Sequence, residues 1–203
     1  MSDQGDSETI DESAVLRAAM DLAATAGWDK SSLSDIAAAA GIGEETLQHL
    51  HRDKLSVLRA LAARIDQEAL GAVTQGDIAD IPIRERLLEL MMLRFDAMRP
   101  FKAGIIAVSR AAATKPGLAM EGGCALSRSM RATLSLAGVR TEGIAGLIRI
   151  KAMALIFLDA FQVWGGDDSA DQSATFRRLD ERLVRAESLA LALGIAKADP
   201  AAK

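Results

Sequence analysis

The chain has 203 residues, a formal net charge of −4, no Tyr and a single Cys. Half of its residues are hydrophobic, and runs of β-branched residues are scarce. This composition argues against a β-rich protein and favours an all-helical one with a sizeable buried core. The acidic balance argues against broad, nonspecific binding to nucleic acid. Since Cys124 has no partner for an internal disulfide, the sequence predicts a reducing, cytoplasmic location.

The first part of the chain predicts three helices joined by tight turns. They cover residues 12–26, 33–40 and 44–50. Gly27 ends the first helix, because glycine takes a positive φ without strain. Ser32 begins the second helix as its N-cap, Asp35 completes a capping box, and Gly41 ends the helix. This pattern predicts a helix-turn-helix module over residues 11–55.

Six further helices are predicted after this module. They cover residues 54–73, 83–98, 101–114, 117–137, 142–164 and 170–193. Pro100 and Pro116 mark boundaries, and Gly122-Gly123 predicts a flexible break inside one helix. The predicted fold is therefore all-α with about nine helices. It combines the three-helix module with a C-terminal helical bundle for ligand binding and dimerisation over residues 56–194.

Two segments outside these helices predict disordered or flexible tails. Residues 1–10 are polar and acidic, without the apolar stretch of a signal peptide, and residues 195–203 are short and rich in Ala. The most apolar helix, over residues 142–164, is interrupted by charges such as Arg149 and Asp159. Because a membrane span needs about 20 mostly apolar residues, no stable membrane insertion is predicted.

The C-terminal domain carries two apolar patterns, each with two interpretations. In the last helix, apolar residues recur three and four apart, at Phe176, Leu179, Leu183, Ala186 and Ala190. Their partner is either a helix of the same chain or a second copy of the protein. Methionine and aromatic residues also gather, at Met91, Phe95, Met98, Met153, Phe157 and Phe161. They form either an ordinary core or a pocket for an apolar ligand such as a lipid, quinone or isoprenoid.

Motifs of catalysis are absent from the sequence. It has no phosphate-binding loop, no GxSxG motif and no nucleophile–base pair that spacing would single out. His49 and His51 are two residues apart, so they do not share a helical face, and no Cys or third His accompanies them. We therefore predict no catalytic residue, no metal site and no cofactor, and we expect the protein not to be an enzyme.

One run of residues resembles a known family. Ile36-Ala37-Ala38-Ala39-Ala40-Gly41, followed by Thr46-Leu47 and Lys54, is similar to the helix-turn-helix of the tetracycline-repressor (TetR) family of transcriptional regulators. The resemblance implies a homodimer that contacts operator DNA through the third helix, with a ligand cavity in the C-terminal domain. It assigns contacts with bases or phosphates to Ser32, Thr46, Gln48, His49 and Lys54.

The same module departs from the family pattern at several positions. Gln48 stands where the family usually has Tyr, and His51 stands where it usually has Phe. The third helix has no Lys or Arg and opens with Glu44 and Glu45. These acids favour the dipole at the start of the helix. Because phosphate contacts dominate DNA affinity, however, the same carboxylates work against DNA binding.

A second resemblance lies in the C-terminal domain. Residues 161–183, FQVWGGDDSADQSATFRRLDERL, look like the C-terminal region of the COQ9 family of ubiquinone-biosynthesis proteins. That resemblance implies a lipid- or isoprenoid-binding accessory protein that shares the fold and does not bind DNA. The sequence thus leaves two functions open: a DNA-binding regulator controlled by an apolar ligand, and a lipid-binding accessory protein.

Overall fold

The computed structural model describes residues 11–71, 73–74 and 76–192. The predicted tails at 1–10 and 195–203, and the predicted end of the last helix at 193, lie outside these residues. Within them the chain forms nine α-helices and no strand, which confirms the all-α prediction. The helices are α1 (Glu12–Thr25), α2 (Leu33–Ala40), α3 (Glu44–Leu50), α4 (Lys54–Leu70), α5 (Ile83–Met98), α6 (Lys102–Ala112), α7 (Pro116–Leu136), α8 (Gly143–Trp164) and α9 (Ser173–Ala192).

Helices α1, α2 and α3 form a small N-terminal module. Ser32 Oγ accepts a hydrogen bond from Asp35 N at 3.0 Å, and Asp35 Oδ2 accepts one from Ser32 N at 2.7 Å, which is the predicted capping box. Gly41 ends α2 at a φ of 71°, where a side chain would add strain. Ile36 of α2 and Leu47 of α3 are fully buried. Because helices this short are marginal alone, this shared core is what stabilises them.

Helix α4 joins the module to the rest of the chain. A capping box between Asp53 and Ser56 begins the helix. The Nζ atom of Lys54 donates to the carbonyl oxygens of Trp28 and Ser31, and it lies 4.5 Å from the centroid of the Trp28 ring. The first turn of α4 therefore fixes the corner between α1 and α2. The predicted boundary between the two domains falls inside this turn.

A second contact ties the module to the C-terminal domain. Gly104 of α6 is buried against α1. A Cβ atom on Gly104 would lie 2.6 Å from the Cβ and 2.7 Å from the Cα of Met20, closer than real Cβ atoms approach. The two helix backbones can come this near only because one of them lacks a side chain. The position of α1 therefore depends on α6.

The C-terminal domain, α5 to α9, closes around an aromatic cluster. Phe95 and Phe157 stack with their ring centroids 5.1 Å apart, and the Trp164 ring lies 5.7 Å from that of Phe95. Trp164 Nε1 donates to Gln172 Oε1 at 2.8 Å, so the buried indole is paired with the turn that precedes α9. This cluster anchors α8 and α9 to α5.

The predicted break at Gly122-Gly123 was wrong, because α7 runs without interruption over Pro116–Leu136. Each glycine costs a helix about 1 kcal/mol. Burial of Met130 and Leu134 offsets that cost and keeps the helix continuous. Neither α7 nor any other helix in the described part of the chain is both long and apolar enough to cross a membrane.

Helix α9 begins three residues after its predicted start. Asp167 Oδ2 accepts from Thr175 N at 2.9 Å, and Asp171 Oδ1 accepts from Ser173 N at 3.3 Å, so two of the acids before the helix cap its first turn. A third acid, Asp168, forms an ion pair with Lys102 of α6, with the Nζ and Oδ1 atoms 3.0 Å apart.

Candidate functional site

Helix α3 presents most of its surface to solvent. Leu47 is buried and anchors the helix, and the other six residues are exposed. Glu45 and His49 are four residues apart and lie on the side opposite Leu47, with Thr46 and Gln48 on the flanks. Since no other described part of the chain covers these four side chains, they are accessible to a macromolecular partner.

Hydrogen bonds within α3 orient two of these side chains. Gln48 Nε2 donates to Glu44 Oε1 at 3.1 Å. His49 Nδ1 lies 2.7 Å from the carbonyl oxygen of Glu45. Because a carbonyl only accepts, Nδ1 carries the proton of this bond, and Nε2 of the neutral ring is left as an acceptor. The exposed face of α3 therefore offers hydrogen-bond acceptors more readily than donors.

Ser32 and Lys54, which the family resemblance assigns to DNA, both take part in bonds inside the module. The Ser32 hydroxyl donates to Asp35 Oδ2 at 2.7 Å. Burial lowers the pKa of the Lys54 ammonium, and two of its three N–H groups donate to backbone carbonyls. His51 is buried, with Nε2 3.5 Å from Glu12 Oε1, so it fills an interior position as expected for a substitute for Phe.

The charge around α3 is unusual for a surface that meets DNA. Glu44 and Glu45 are exposed, and the helix has no Lys or Arg. Exposed cations of the module include Lys30, in the corner between α1 and α2, and Arg52, directly after α3. The contact residues predicted from the sequence included neither of them, because their exposure depends on the fold.

An apolar cavity of about 500 Å³ lies in the C-terminal domain, lined by residues of α1, α4, α5, α6, α7 and α8. Its aliphatic lining includes Met20, Leu58, Leu61, Ile65, Val108 and Leu126. Of the six residues predicted for a pocket, Met98, Phe157 and Phe161 line the cavity. The prediction for the other three needs correction: Met91, Phe95 and Met153 are buried in the core instead.

Two ion pairs stand at the cavity wall. Arg94 of α5 pairs with Asp66 of α4, and its Nη1 donates to Ser129 Oγ of α7 at 3.3 Å. Ser129 Oγ in turn lies 2.7 Å from Asp66 Oδ1. Arg59 Nε donates to Glu121 Oε1 at 2.8 Å, which lowers the pKa of the Glu121 carboxyl and raises that of the Arg59 guanidinium. Both pairs connect α4 to α7 or α5 across the cavity.

Arg94 has an unmet hydrogen-bond donor. Its side chain is only 5% exposed, and neither Nε nor Nη2 has a hydrogen-bond acceptor, but Nη2 contacts Asp66 in the ion pair and only Nε has no partner of any kind. No group of three His, Cys, Asp or Glu side chains among the described residues is arranged to hold a metal ion. The polar chemistry at the cavity therefore consists of these two ion pairs, the hydroxyls of Ser109 and Ser129, and the spare donor of Arg94.

The apolar surface of α8 and α9 changes the predicted dimer seam. Leu179 and Leu183 are buried within the protomer, so they are unavailable to a second copy, and the prediction for them was wrong. Phe176 is 47% exposed, and Ala186 and Ala190 are partly buried. The other exposed apolar residues of these helices are Ile144, Leu147, Ile148, Leu155, Leu158, Val184, Leu189 and Leu191. Because α8 is longer and more apolar than α9, it contributes most of this surface.

Comparison with known proteins agrees with this architecture. Residues 15–61 match the model of the family described as bacterial regulatory proteins, tetR family. The structure is similar to that of the TetR transcriptional regulator from Nitrosomonas europaea ATCC 19718, with a TM-score of 0.71 and 21% identity over 87% of this chain and 98% of that chain. It is also similar to a TetR transcriptional regulator from Rhodococcus sp. RHA1, with a TM-score of 0.55 and 19% identity over 85% of this chain and 94% of that chain. No curated protein matches the chain.

The helix-turn-helix module matches the TetR family model, and the described chain as a whole has the same fold as the solved TetR regulators, which confirms the first resemblance found in the sequence. The resemblance of residues 161–183 to ubiquinone-biosynthesis proteins stays a prediction.

Proposed function

We propose that this chain is a cytoplasmic, non-enzymatic transcriptional regulator that binds operator DNA as a homodimer and is controlled by an apolar ligand. The observation that carries the proposal is the exposed α3 within a module that matches the TetR family model. A helix presented in this way fits the major groove of B-DNA, where base edges can be distinguished. The cavity, with its mostly apolar lining, is of a size typical of ligand pockets.

The side chains of α3 favour a particular kind of base contact. Glu45 is an acceptor for the N4 amino group of cytosine, and Gln48 is able to bond both N6 and N7 of an adenine. Thr46 and His49 complete the contact set. The acidic character of the helix then selects bases that offer amino groups, whereas a helix rich in Arg would select guanine.

Few phosphate contacts are available to this module. Lys30, before α2, and Arg52, after α3, are exposed cations of the module, and the third N–H of Lys54 supplies a further donor. Ser32 contacts a phosphate only if its hydroxyl gives up its hydrogen bond to Asp35. A dimer would bring four such cations, two from each module, to the phosphates. A plot of the logarithm of the binding constant against the logarithm of the salt concentration should therefore have a slope of about −4. We therefore expect specific but moderately salt-dependent binding.

The homodimer is proposed to form through α8 and α9. These helices pack on each other, and their outer sides expose aliphatic residues such as Leu147, Leu155 and Val184. An exposed aliphatic surface of this kind is typical of an interface between protein chains. A dimer built on it would carry two α3 helices, as a DNA site with two half-sites requires.

Ligand control is proposed to act through α4. Leu58, Arg59 and Leu61 of this helix line the cavity, and Lys54 at its start holds the corner between α1 and α2. Met20 of α1 lines the cavity as well. A ligand that displaces these side chains changes the position of the module, because α4 is a continuous helix between the two sites.

The proposal is tested by fluorescence anisotropy with DNA from the region upstream of the protein's own gene. We expect one fragment to bind with a Kd of about 10⁻⁸ M or below at physiological salt. Gln48→Ala and His49→Ala should each weaken this binding at least about tenfold, because each removes a base contact. Arg128→Ala, at an exposed position of α7, is the control and should leave it unchanged. If the wild type and both α3 variants bind every fragment equally weakly, the proposal is wrong.

A second candidate function is the lipid-binding accessory protein implied by residues 161–183. The observations that favour it are the exposed acids Glu44 and Glu45 on α3 and, elsewhere in the chain, the apolar cavity. Organic extraction of the purified protein followed by mass spectrometry distinguishes the two functions. A retained lipid together with no DNA binding would establish the accessory protein, whereas specific DNA binding would exclude it.

A further inference from the structure

The cavity wall carries balanced charges and one spare hydrogen-bond donor. The charged residues that line it are Arg59, Arg94 and Glu121. Arg59 pairs with Glu121, and Arg94 pairs with Asp66, so each positive charge is already neutralised. The Nε of Arg94 has no acceptor and is buried. A buried donor without a partner is unfavourable, because it has lost its hydrogen bond to water.

We propose that the cavity takes a largely apolar, uncharged ligand with one hydrogen-bond acceptor of the carbonyl kind, which is seated against Arg94. This inference rests on the proposed ligand-controlled function and specifies its ligand class. The aliphatic and aromatic lining accounts for the apolar body of the ligand. The spare donor of Arg94 accounts for the carbonyl oxygen.

Other ligand classes fit these groups less well. A hydrocarbon fills the cavity but leaves the Arg94 Nε unpaired, so it gains less on binding. A carboxylate would satisfy Nε but would add a second negative charge beside Asp66, in a cavity of low polarity. An ammonium group would lie next to the Arg94 guanidinium without an acceptor of its own. A ketone, ester or lactone avoids all three costs.

The test uses three probes with one carbon skeleton and the full-length protein. They are butyrophenone, which carries a neutral carbonyl, butylbenzene, which has no acceptor, and 4-phenylbutanoate, which is an anion at neutral pH. Displacement of the fluorescent dye N-phenyl-1-naphthylamine measures their affinities. For the wild type we expect butyrophenone to bind more tightly than 4-phenylbutanoate.

Two variants separate the role of Arg94 from general packing. Arg94→Met should weaken butyrophenone at least about tenfold and change butylbenzene less than about twofold. Asp66→Asn keeps the shape of the carboxylate but leaves Arg94 unbalanced, so 4-phenylbutanoate should bind about tenfold more tightly than to the wild type. Arg110→Met, the same substitution at an exposed position of α6 outside the cavity lining, is the matched control and should leave all three affinities unchanged.

The outcomes distinguish this inference from the proposed function. If Arg94→Met leaves the affinity for butyrophenone unchanged, or if the wild type prefers 4-phenylbutanoate, the proposed carbonyl ligand class is wrong, but the proposed function as a regulator is unaffected. If the dye and all three probes fail to bind the wild type, both the ligand class and ligand control are wrong. Where Arg94→Met does not fold, the response of Asp66→Asn to 4-phenylbutanoate decides the question.

Discussion

Replacing Gly104 by alanine should destabilise the protein at the contact between α1 and α6. The new Cβ would lie 2.6 Å from the Cβ and 2.7 Å from the Cα of Met20, and neither atom can rotate away. Relief therefore requires the two helices to separate. Since α1 belongs to the helix-turn-helix module and α6 to the C-terminal domain, this substitution tests the connection between them.

The expected magnitude follows from two opposing effects. Inserting a methyl group into a packed contact typically costs about 1–3 kcal/mol. Because the backbone of Met20 is rigid, we expect Gly104→Ala to cost about 3 kcal/mol, the upper end of this range. Alanine returns about 1 kcal/mol through its higher helix propensity. The net loss is about 2 kcal/mol. For a chain of this size, 1 kcal/mol shifts Tm by about 2–4 °C, so we expect a decrease of about 4–8 °C.

The assay is thermal unfolding followed by circular dichroism, at one fixed protein concentration because a dimer unfolds in a concentration-dependent way. Gly123→Ala is the matched control, since a Cβ at that helical position has no neighbour within 4 Å. It should raise Tm by up to about 4 °C through propensity alone. If Gly104→Ala is as stable as the wild type, the close packing of α1 on α6 is refuted.

Three further substitutions test the turn before α9, the proposed dimer and the corner of the module. Burial raises the pKa of the Asp167 carboxyl, but hydrogen bonds from Ser169 and Thr175 outweigh it and hold the pKa well below its ordinary value near 4. The stabilisation by the Asp167 carboxylate is therefore present above about pH 4 and lost as the pH falls further. Asp167→Asn should lower the free energy of unfolding in urea by about 1–2 kcal/mol at pH 7 and by progressively less in acid. An equal loss at pH 7 and in acid would contradict this. Leu155→Glu should weaken the dimer at least about tenfold in sedimentation velocity without loss of helicity, and an unchanged dimer would exclude this surface. Lys54→Met should lower the free energy of unfolding by about 1–3 kcal/mol, because two backbone carbonyls lose their partner, and unchanged stability would show that these bonds are not needed.

The helices could be predicted where local signals determine them. The bounds of α2 and α3 are those expected from the sequence, because Ser32, Asp35 and Gly41 define the ends of α2 within a few residues. The predicted break in α7 failed for the opposite reason. Glycine lowers helix propensity locally, but burial of Met130 and Leu134 against other helices determined the outcome.

The candidate site was only partly predictable, because it depends on how helices are rotated about their axes. Apolar spacing in α9 indicated a seam, but it could not show that Leu179 and Leu183 face the chain's own core. The hydrogen bond between Ser129 and Asp66 joins residues 63 positions apart, so no local sequence pattern predicts it. The spare donor of Arg94 likewise appears only when its neighbours are known.

The most direct test of the regulator proposal is a hydroxyl-radical footprint on genomic DNA fragments that the purified protein selects. We predict two protected patches on related half-sites whose centres are about 10 base pairs, or a multiple of that spacing, apart, because a dimer presents two α3 helices to successive turns of the groove. The same pattern should disappear with His49→Ala. Failure to enrich any fragment above background, or one continuous protection without half-sites, would contradict the proposal that α3 binds operator DNA in a dimer.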